Sequence, residues 1–376
     1  MSDIPTTFIP LSDLTGSKDE VRPDWVIGSV SSGIGPIPQI SCDWNQSDKV
    51  GQIKARINNT FRMKYAIQAG LYAVGNPDGD SPVLLSANYK LSFDILRREL
   101  KTLNVWIIVL DTKGINVWCA AGKGTFGTDE IIRQISHLKL ERVVKHRKVI
   151  SPQLGAPGIK AHVVKKMTGF NIKYGPVLAK DIQKYLQDGL KATKEMRRIS
   201  FKIIDRMILT PMEISLVLKQ SWKYGLGILI FFGIMPTGIL FKNAFVDGLP
   251  FILLLFVAIL TGAFITPALL PWIPFRAFFR KGFLIGLLPV ILLHYLSYKY
   301  GGLFNDPFLL ASAYLLVPTL SSYLAFNFTG CTTYTNPAGV NKELKSAFIV
   351  YAITIIVSII LLVIYKLLIW GVLWNT

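Results

Sequence analysis

The carboxyl-terminal part of the chain contains uncharged stretches that are too long for a soluble protein core. Residues 248–275, between Asp247 and Arg276, form 28 consecutive uncharged positions. A helix that crosses a bilayer needs only about 20 apolar residues. We therefore predict an all-α transmembrane domain at residues 221–376. Its five predicted spans share this apolar character and cover residues 222–241, 249–273, 282–300, 307–328 and 347–373. Lys366 falls inside the last span, near its far end, where its ammonium is expected to extend to the lipid headgroups.

The preceding residues are polar and mixed, and they predict a soluble α/β domain. Residues 1–45 are rich in Pro, Ser, Gly and Asp, and we interpret them as an irregular N-terminal arm. Over residues 46–192, apolar runs typical of strands alternate with stretches of helical periodicity. This alternation predicts a Rossmann-like, mostly parallel sheet covered by helices on both sides. The predicted strands are 82–87, 105–110, 115–118, 142–150 and 170–174, and the main predicted helices are 128–140, 157–169 and 177–192.

The chain is strongly basic, with a formal net charge of +18. Beside membrane spans, attraction to anionic lipid explains this charge more simply than nucleic-acid binding, and no aromatic-basic RNA motif is visible. Residues 193–220 are interpreted as a basic amphipathic linker on such a membrane surface, with a solvated linker helix as the alternative. Arg276, Arg280 and Lys281 fall in one short loop, so the positive-inside rule predicts a cytoplasmic α/β domain, an outer C-terminus and an inner-membrane location.

The three cysteines, Cys42, Cys119 and Cys331, form no C-x-x-C pair. They cannot supply the four thiolates that an iron–sulfur cluster requires. Cys119 follows the predicted strand 115–118 and precedes a glycine-rich loop that leads to a predicted helix with Thr128 as its N-cap. This places a thiol at the carboxyl edge of the sheet, where α/β folds bind ligands. A small buried cysteine without chemistry remains the alternative for Cys119.

The string from Asn116 to Lys123, which reads N-V-W-C-A-A-G-K, resembles the signature of the HgcA family, the corrinoid proteins of mercury methylation. Further blocks, at residues 87–94, 154–158 and 174–177, also resemble that family and occur in order along the chain. Ser86 stands where the family usually has Thr. The α/β domain is also similar to the corrinoid-binding domain of the corrinoid iron–sulfur protein of acetyl-CoA synthesis.

The resemblance implies a cobalamin-type corrinoid whose cobalt is bound from below by the thiolate of Cys119. None of the four histidines stands in the D-x-H-x-x-G pattern that supplies a histidine ligand in many corrinoid proteins. The corrinoid-binding residues that the resemblance implies are Ser86, Asn88, Asn116, Val117, Trp118, Cys119, Ala120, Ala121, Gly122, Lys123, Gly124, Thr125, Gly155, Ala156, Tyr174 and Gly175.

The implied activity is that of a membrane-anchored, corrinoid-dependent methyltransferase that passes a cobalt-bound methyl group to Hg(II) and forms methylmercury. Its implied partners are a two-cluster [4Fe–4S] ferredoxin similar to HgcB, a methyl-folate-dependent methyl donor and membrane lipid, with no nucleic acid. Two alternatives remain open from the sequence. One is a corrinoid methyl carrier of one-carbon metabolism, and the other is a non-enzymatic membrane protein that binds or transports corrinoid.

Overall fold

The computed structural model describes residues 23–372 except residues 302, 303, 305, 333 and 336. These residues form two compact units, which divide between Ser200 and Phe201. The first unit is mixed α/β, and the second is almost entirely helical. This confirms the fold class expected from the sequence.

The first unit is built on a mixed sheet whose described strands lie in the order β1-β2-β3-β5-β4-β6-β7. Neighbouring strands are parallel at four of the six pairings, and the pairs β1–β2 and β3–β5 are antiparallel. The strands are β1 (Val26–Ser32), β2 (Gly35–Ile40), β3 (Gly70–Val74), β4 (Val83–Ala87), β5 (Val105–Leu110), β6 (Lys148–Ser151) and β7 (Asn171–Tyr174).

Helices cover both faces of this sheet because its central strands are apolar on both faces. Along β5, the side chains of Trp106 and Ile108 pack into one core cluster, whereas those of Ile107 and Val109 pack into the other. Such unbroken burial is typical of parallel strands between two helical layers. The helices are α1 (Gln46–Ile57), α2 (Asn59–Lys64), α3 (Lys90–Arg98), α4 (Val117–Lys123), α5 (Thr128–His137), α6 (Ala161–Thr168) and α7 (Ile182–Gln187).

The irregular arm predicted at residues 1–45 is wrong for the part that the structure describes. From Val26 to Ile40 the chain forms the hairpin β1–β2, which extends the sheet. Side chains along β1 alternate between half-buried and exposed, and β2 contains Pro36 and Pro38. Proline is tolerated in strands near a sheet edge, so the composition that suggested a loop is that of an edge hairpin. The remainder of this arm, residues 1–22, lies outside the described residues.

Several predicted elements are shorter in the structure because the backbone leaves the helical or extended region. The predicted helix 128–140 ends as α5 at His137, and Lys139 then has a φ of 44°. The predicted helix 177–192 is reduced to a 3₁₀ turn and α7, with Gly189 at a φ of 67°. Pro157 lies in a 3₁₀ segment, Gln153–Gly158, that precedes α6. The predicted strand 142–150 forms a strand, β6, only from Lys148 onward.

A buried network of four charges connects α1 to α3. Lys90 Nζ lies 2.8 Å from Asp48 Oδ1 and 2.7 Å from Asp94 Oδ1. Arg97 contacts the same two carboxylates at 2.6 Å and 2.8 Å. All four side chains are buried, and the two cations balance the two anions. Removal of any one member therefore leaves an unpaired charge in a region of low dielectric.

We expect Arg97→Met to lower the free energy of unfolding by about 3–5 kcal/mol, because it leaves the buried network with two carboxylates and one cation, Lys90. Chemical unfolding of the full chain in detergent, followed by tryptophan fluorescence, measures this change. Lys145→Gln removes an exposed ion pair with Asp80 at 3.5 Å and is the matched control, with little expected effect. Equal stability of the two variants would contradict the role of this network.

Asp48 gives the network a dependence on pH. Burial, the largest influence, raises the pKa of Asp48, but hydrogen bonds from Lys90 and Arg97 outweigh it, and the net pKa is lowered. A lowered folded-state pKa stabilises the fold above the unfolded value of about 3.9, and this contribution is lost as the pH falls below that value. We expect Asp48→Asn to flatten the decrease in stability below about pH 4. Identical acid-unfolding curves for both proteins would exclude this contribution.

The second unit contains four helices that are long and apolar enough to cross a membrane among the residues described. They are Phe241–Leu269, Phe278–Tyr300, Pro307–Gly330 and Ala338–Ile369. The elements of this unit are α8 (Ile203–Gly233), β8 (Ile234–Met235), β9 (Gly238–Ile239), α9 (Phe241–Leu260), a π-helical turn (Thr261–Ile265), α10 (Thr266–Leu269), α11 (Phe278–Tyr300), α12 (Pro307–Asn327) and α13 (Pro337–Ile369).

The predicted span 222–241 and the predicted linker 193–220 do not appear as separate elements. One continuous helix, α8, begins at Ile203 and ends at Gly233, and the β8–β9 hairpin follows it. Pro236 and Gly238 lie in this hairpin, and proline cannot continue the helical hydrogen-bond pattern. The other four predicted spans correspond to the four candidate spans, with different bounds.

Buried cations close helix ends in this second unit. Lys366, only 5% exposed, donates to the carbonyls of Phe232 at 2.8 Å and Ile234 at 3.2 Å, at the end of α8. The expectation that Lys366 extends to lipid headgroups is therefore wrong. Arg206 similarly donates to the carbonyl of Ala268 at 2.8 Å, in α10. Helix ends leave carbonyls without partners, and a side-chain donor satisfies them where water is excluded.

Candidate functional site

The predicted site residues come from four separate stretches of sequence, and the fold brings these stretches to one edge of the sheet. Strands β4, β5, β6 and β7 are mutually parallel, so their carboxyl ends lie at the same edge. Asn88 follows β4, the turn at Asp111 follows β5, the 3₁₀ segment follows β6, and Gly175 follows β7. This is the edge at which open α/β sheets bind ligands.

Asn88 organises the turn that leads from β5 into the motif. Its Oδ1 accepts hydrogen bonds from the backbone N–H of Thr112 at 3.1 Å and of Gly114 at 2.9 Å. Its Nδ2 donates to Asp111 Oδ1 at 3.2 Å, and the residue is 8% exposed. The amide of Asn88 is therefore used within the protein, where it fixes the 111–114 turn.

After this turn the chain enters a helix, so the predicted strand 115–118 is wrong. The helix α4 begins at Val117, and Asn116 is its N-cap, with Oδ1 accepting from the Cys119 N–H at 2.9 Å. Asparagine at this position satisfies a helix N–H that would otherwise have no partner. Its capping bond outweighs the β-propensity of Ile115 and Trp118, and Cys119 lies in the first turn of α4 rather than at a strand end.

Cys119 is exposed to solvent. This excludes the alternative that it is a small buried apolar residue of the core. Cys42 shows the contrast, because it is half-buried and burial raises the pKa of its thiol. Of these two thiols, Cys119 is the one that a ligand approaching the sheet edge can reach.

Two glycines near Cys119 leave part of the exposed backbone without side chains. Gly122 lies one helical turn after Cys119, on the same face of α4. A Cβ atom added at Gly122 or at Gly124 would meet nothing within 4 Å. Gly124 also has a φ of 81° and ends the helix. The thiol is thus flanked by two glycines with open space beside them.

The opposite face of α4 rests on the 3₁₀ segment 153–158. A Cβ at Gly158 would lie 2.3 Å from the carbonyl oxygen of Phe126 and 3.2 Å from Ala121 Cα. A Cβ at Gly155 would lie 2.4 Å from the Phe126 ring. These two glycines allow the close approach of two loops, and the packing of Phe126 between them holds α4 in place.

Thr128 connects the same loops by hydrogen bonds. The prediction that Thr128 is the N-cap of the next helix is wrong, since Gly127 holds that position. Instead, Thr128 Oγ1 accepts from the Lys160 N–H at 2.8 Å and donates to the carbonyl of Gly158 at 3.4 Å. Thr112, Gly158 and Thr128 therefore position the site, although the sequence-based site prediction does not include them. Two of them have a visible signal in the sequence, since Gly158 lies in the 154–158 block and Thr128 starts the helix after the glycine-rich loop.

The predicted corrinoid-binding residues divide into two groups by exposure. Those with side chains or backbone exposed at the edge are Trp118, Cys119, Gly122, Lys123 and Gly124. Those that are buried or half-buried are Ser86, Asn88, Asn116, Val117, Ala120, Ala121, Thr125, Gly155, Ala156, Tyr174 and Gly175. Tyr174, for example, donates to the carbonyl of Ile159 at 3.3 Å, and burial raises its pKa. The buried and half-buried residues therefore form the structural support of the exposed ones.

A cavity of about 280 Å³ lies elsewhere in this unit. Asp78, Gly79 and Trp106 line it, at the amino ends of β4 and β5. It is therefore at the opposite edge of the sheet from Cys119. The cavity is therefore separate from the predicted site residues around Cys119.

The donor set at the edge fits a metal held in a macrocycle better than a free metal ion. Among the residues described, no group of three or more His, Cys, Asp or Glu side chains is placed to hold a metal ion. His146 bonds to the carbonyl of Ser81 at 2.9 Å, near the amino end of β4. One exposed thiol beside open backbone suits a single axial ligand, with the other ligands supplied by the macrocycle itself.

Residues 54–186 match a protein family. The family model is that of CdhD, the CO dehydrogenase/acetyl-CoA synthase delta subunit. The matched residues include α4 with Cys119 and the 3₁₀ segment, and they stop before the second unit. The match agrees with the expected similarity to a protein of acetyl-CoA synthesis.

Individual relatives bear the name acetyl-CoA decarbonylase/synthase complex subunit gamma. The protein of Methanopyrus kandleri is 28% identical over 132 residues, which is 34% of this chain and 28% of that protein. The protein of Methanocaldococcus jannaschii is 34% identical over 97 residues, which is 25% of this chain and 20% of that protein. The chain thus spans only about a quarter of the length of these relatives.

The two kinds of glycine at the site are expected to respond differently to substitution. Gly158→Ala places a methyl group against a backbone carbonyl, and we expect a loss of about 1–3 kcal/mol in the free energy of unfolding. Gly122→Ala is the matched control, because open space surrounds it and alanine favours the helix by up to about 1 kcal/mol. Chemical unfolding of both variants measures the difference. A stable Gly158→Ala protein would show that α4 does not rest on the 3₁₀ segment.

Proposed function

We propose that the chain is a membrane-anchored, corrinoid-dependent methyltransferase that uses Cys119 as the lower axial ligand of cobalt and Hg(II) as methyl acceptor. The observation that carries this proposal is the exposed thiol in the first turn of α4, beside the open backbone of Gly122 and Gly124. The string N-V-W-C-A-A-G-K around this thiol supports Hg(II) as the methyl acceptor. The match to a family of acetyl-CoA synthesis supports methyl transfer.

Four residues of the site have assigned roles in this proposal. A bound corrinoid supplies a cobalt-bound methyl group, and thiolate donation favours its transfer to an electrophile, by analogy with thiolate ligation of haem iron. Cys119 provides that donor atom, and Asn116 fixes the helical turn that presents it. Gly122 and Gly124 leave room for the macrocycle, while Trp118 and Lys123 are exposed at the same edge.

A methyl carrier of one-carbon metabolism is the second candidate, and the match of residues 54–186 to the CdhD family favours it. It would use the same site but pass the methyl group to a thiol or to a nickel centre. A non-enzymatic corrinoid-binding or transport protein is the third candidate, and the four apolar helices favour it. It would bind corrinoid without any methyl turnover.

The four candidate spans also constrain the proposed orientation. In the structure Arg280 and Lys281 lie in the first turn of α11, and Lys342 and Lys345 lie in the first turns of α13, rather than in loops. Together with Arg276, these helix starts are proposed to face the cytoplasm. The helix α9 then enters the membrane from outside. A cytoplasmic α/β unit with an outer C-terminus therefore requires α8 to cross the inner membrane as well.

We expect Cys119→Ala to lower the rate of methylmercury formation at least tenfold, since a loss of about 1.4 kcal/mol of transition-state stabilisation already has that effect. The assay uses the purified full chain in detergent with methylated cobalamin, Hg(II), a low-potential [4Fe–4S] ferredoxin and reductant. The ultraviolet–visible spectrum of bound cobalamin is expected to change in Cys119→Ser, because sulfur no longer binds cobalt. Cys42→Ala is the matched control for loss of a thiol and is expected to leave both readouts unchanged.

The outcomes separate the three candidates. Wild-type rates in Cys119→Ala would exclude the role of this thiol. Methyl transfer to thiols or nickel, with no methylmercury, identifies the second candidate. Stoichiometric corrinoid binding with no methyl turnover to any acceptor identifies the third.

A further inference from the structure

Helix α8 carries two exposed lysines, Lys219 and Lys223, which lie one helical turn apart. The residues of α8 that pack into the bundle, such as Val217 and Ile228, lie on the opposite side of the helix. Gly227 extends the lysine side by a further turn, and a Cβ atom added there would meet nothing within 4 Å. We term this surface, formed by Lys219, Lys223 and Gly227, the lysine face of α8.

The contacts of α8 show how deep the lysine face lies in the helical unit. Three contacts follow one another along α8 and run antiparallel to the candidate span Phe241–Leu269: Arg206 with Ala268, Val217 with Ile259, and Leu229 with Gly248. Lys219 follows the middle contact by two residues, and Ile259 lies near the middle of the uncharged residues 248–275. The lysine face is therefore level with the apolar centre of that span.

Lysines at this depth are costly when lipid surrounds them, because the ammonium loses water without gaining a partner. The proposed orientation, in which α8 crosses the membrane, places both lysines in the hydrocarbon region. Helical side chains point toward the N-terminus of their helix, so Lys223 points to the middle of the bilayer rather than to the nearer headgroups. Lys219 points the same way, and about 20 Å of helix separates it from Arg206, which is more than a lysine side chain can span.

The lysine face has no counter-charge within the part of the chain that the structure describes. None of the ion pairs found among the described residues includes Lys219 or Lys223. Lys223 Nζ lies 5.9 Å from the centroid of the Trp222 ring. A cation–π contact of this kind replaces only part of the lost hydration. An anion from another molecule would neutralise both lysines.

A second copy of this chain does not fit the lysine face. Most dimers have two-fold symmetry, which brings the same surface of both copies together. Two copies with the same orientation in a membrane would therefore bring lysines against lysines at equal depth, and like charges repel strongly where the dielectric is low. A different helix with an anionic side chain at that depth fits better. Gly227 allows the backbone of such a helix to come close, as small residues do in membrane bundles.

We propose that the lysine face of α8 binds a membrane-spanning helix of another protein that carries an Asp or Glu side chain near the middle of the bilayer. The carboxylate of that helix pairs with Lys219 and Lys223, and the two helices approach most closely at Gly227. This inference rests on the proposed crossing of the membrane by α8. It is independent of the corrinoid and of the methyl acceptor.

Binding of a designed helix in a bilayer tests the lysine face. The probe is a synthetic apolar peptide of about 20 residues with Asp at its middle position. The full chain, with a donor dye attached after Thr376, is reconstituted in phosphatidylcholine vesicles, and fluorescence energy transfer to an acceptor dye on the peptide measures binding. We expect the Asp peptide to bind at least about tenfold more tightly than the same peptide with Leu at that position, because only the carboxylate neutralises the lysines.

Two double variants show whether this preference depends on the depth of the lysines. Lys219→Leu combined with Lys223→Leu is expected to abolish the preference for the Asp peptide. The matched control, Lys242→Leu combined with Lys299→Leu, removes two exposed lysines from the first turn of α9 and the last turn of α11. This control is expected to retain the preference within about twofold, because lysines at helix ends reach the headgroups.

The outcomes decide this inference separately from the proposed function. Equal binding of the Asp and Leu peptides by the wild-type chain overturns it, and so does an unchanged preference in the Lys219→Leu, Lys223→Leu protein. Energy transfer between copies of the chain that disappears in the same variant assigns the lysine face to self-association, which also overturns the acidic partner. The titration contains neither corrinoid nor mercury, so an absence of methyl transfer leaves its result unaffected.

Discussion

The hydrogen bonds of the Asn88 side chain are the interaction on which the geometry of the site depends. They connect the end of β4 to the turn after β5, and this turn determines where α4 begins. Because Oδ1 accepts from two backbone N–H groups, the turn is fixed by contacts that water cannot easily replace. The side chain of Asn116 likewise accepts a backbone hydrogen bond, at the N-terminus of α4. Two asparagine side chains thus determine the position of Cys119.

The parts of the fold that were predictable from the sequence are those governed by local periodicity. The runs at β4 and β5 are apolar without interruption, and the helix α5 has clear apolar spacing, so their type and order follow from the sequence. The convergence of distant motifs at one edge follows from the parallel arrangement of the strands. The apolar helices of the second unit are predictable for a similar reason, since their length and composition alone exclude a soluble core.

The remaining features depend on tertiary contacts that periodicity does not reveal. Ile115 to Trp118 has β-propensity, yet the capping bond of Asn116 starts a helix there. The buried network around Arg97 joins residues more than forty positions apart. From the sequence alone, the same charged residues are equally typical of a solvent-exposed helix. Lys366 was expected at the lipid headgroups, but the carbonyls at the end of α8 retain it inside the bundle. In each case, a polar group is positioned by a partner distant in sequence or by one specific hydrogen bond.

The two faces of α4 differ in how closely they are packed. The inner face of α4 is packed so closely that even a methyl group at Gly158 does not fit, whereas its outer face has open space at Gly122. A rigid inner face holds the Cys119 thiol in place, and an open outer face leaves space beside that thiol. Gly124 has a function in folding, because its φ of 81° ends α4. Gly122 has no such function: it lies inside the helix, where alanine would be favoured, and a Cβ there would meet nothing. Its openness beside an exposed thiol is therefore a feature of the α/β unit that folding alone does not explain.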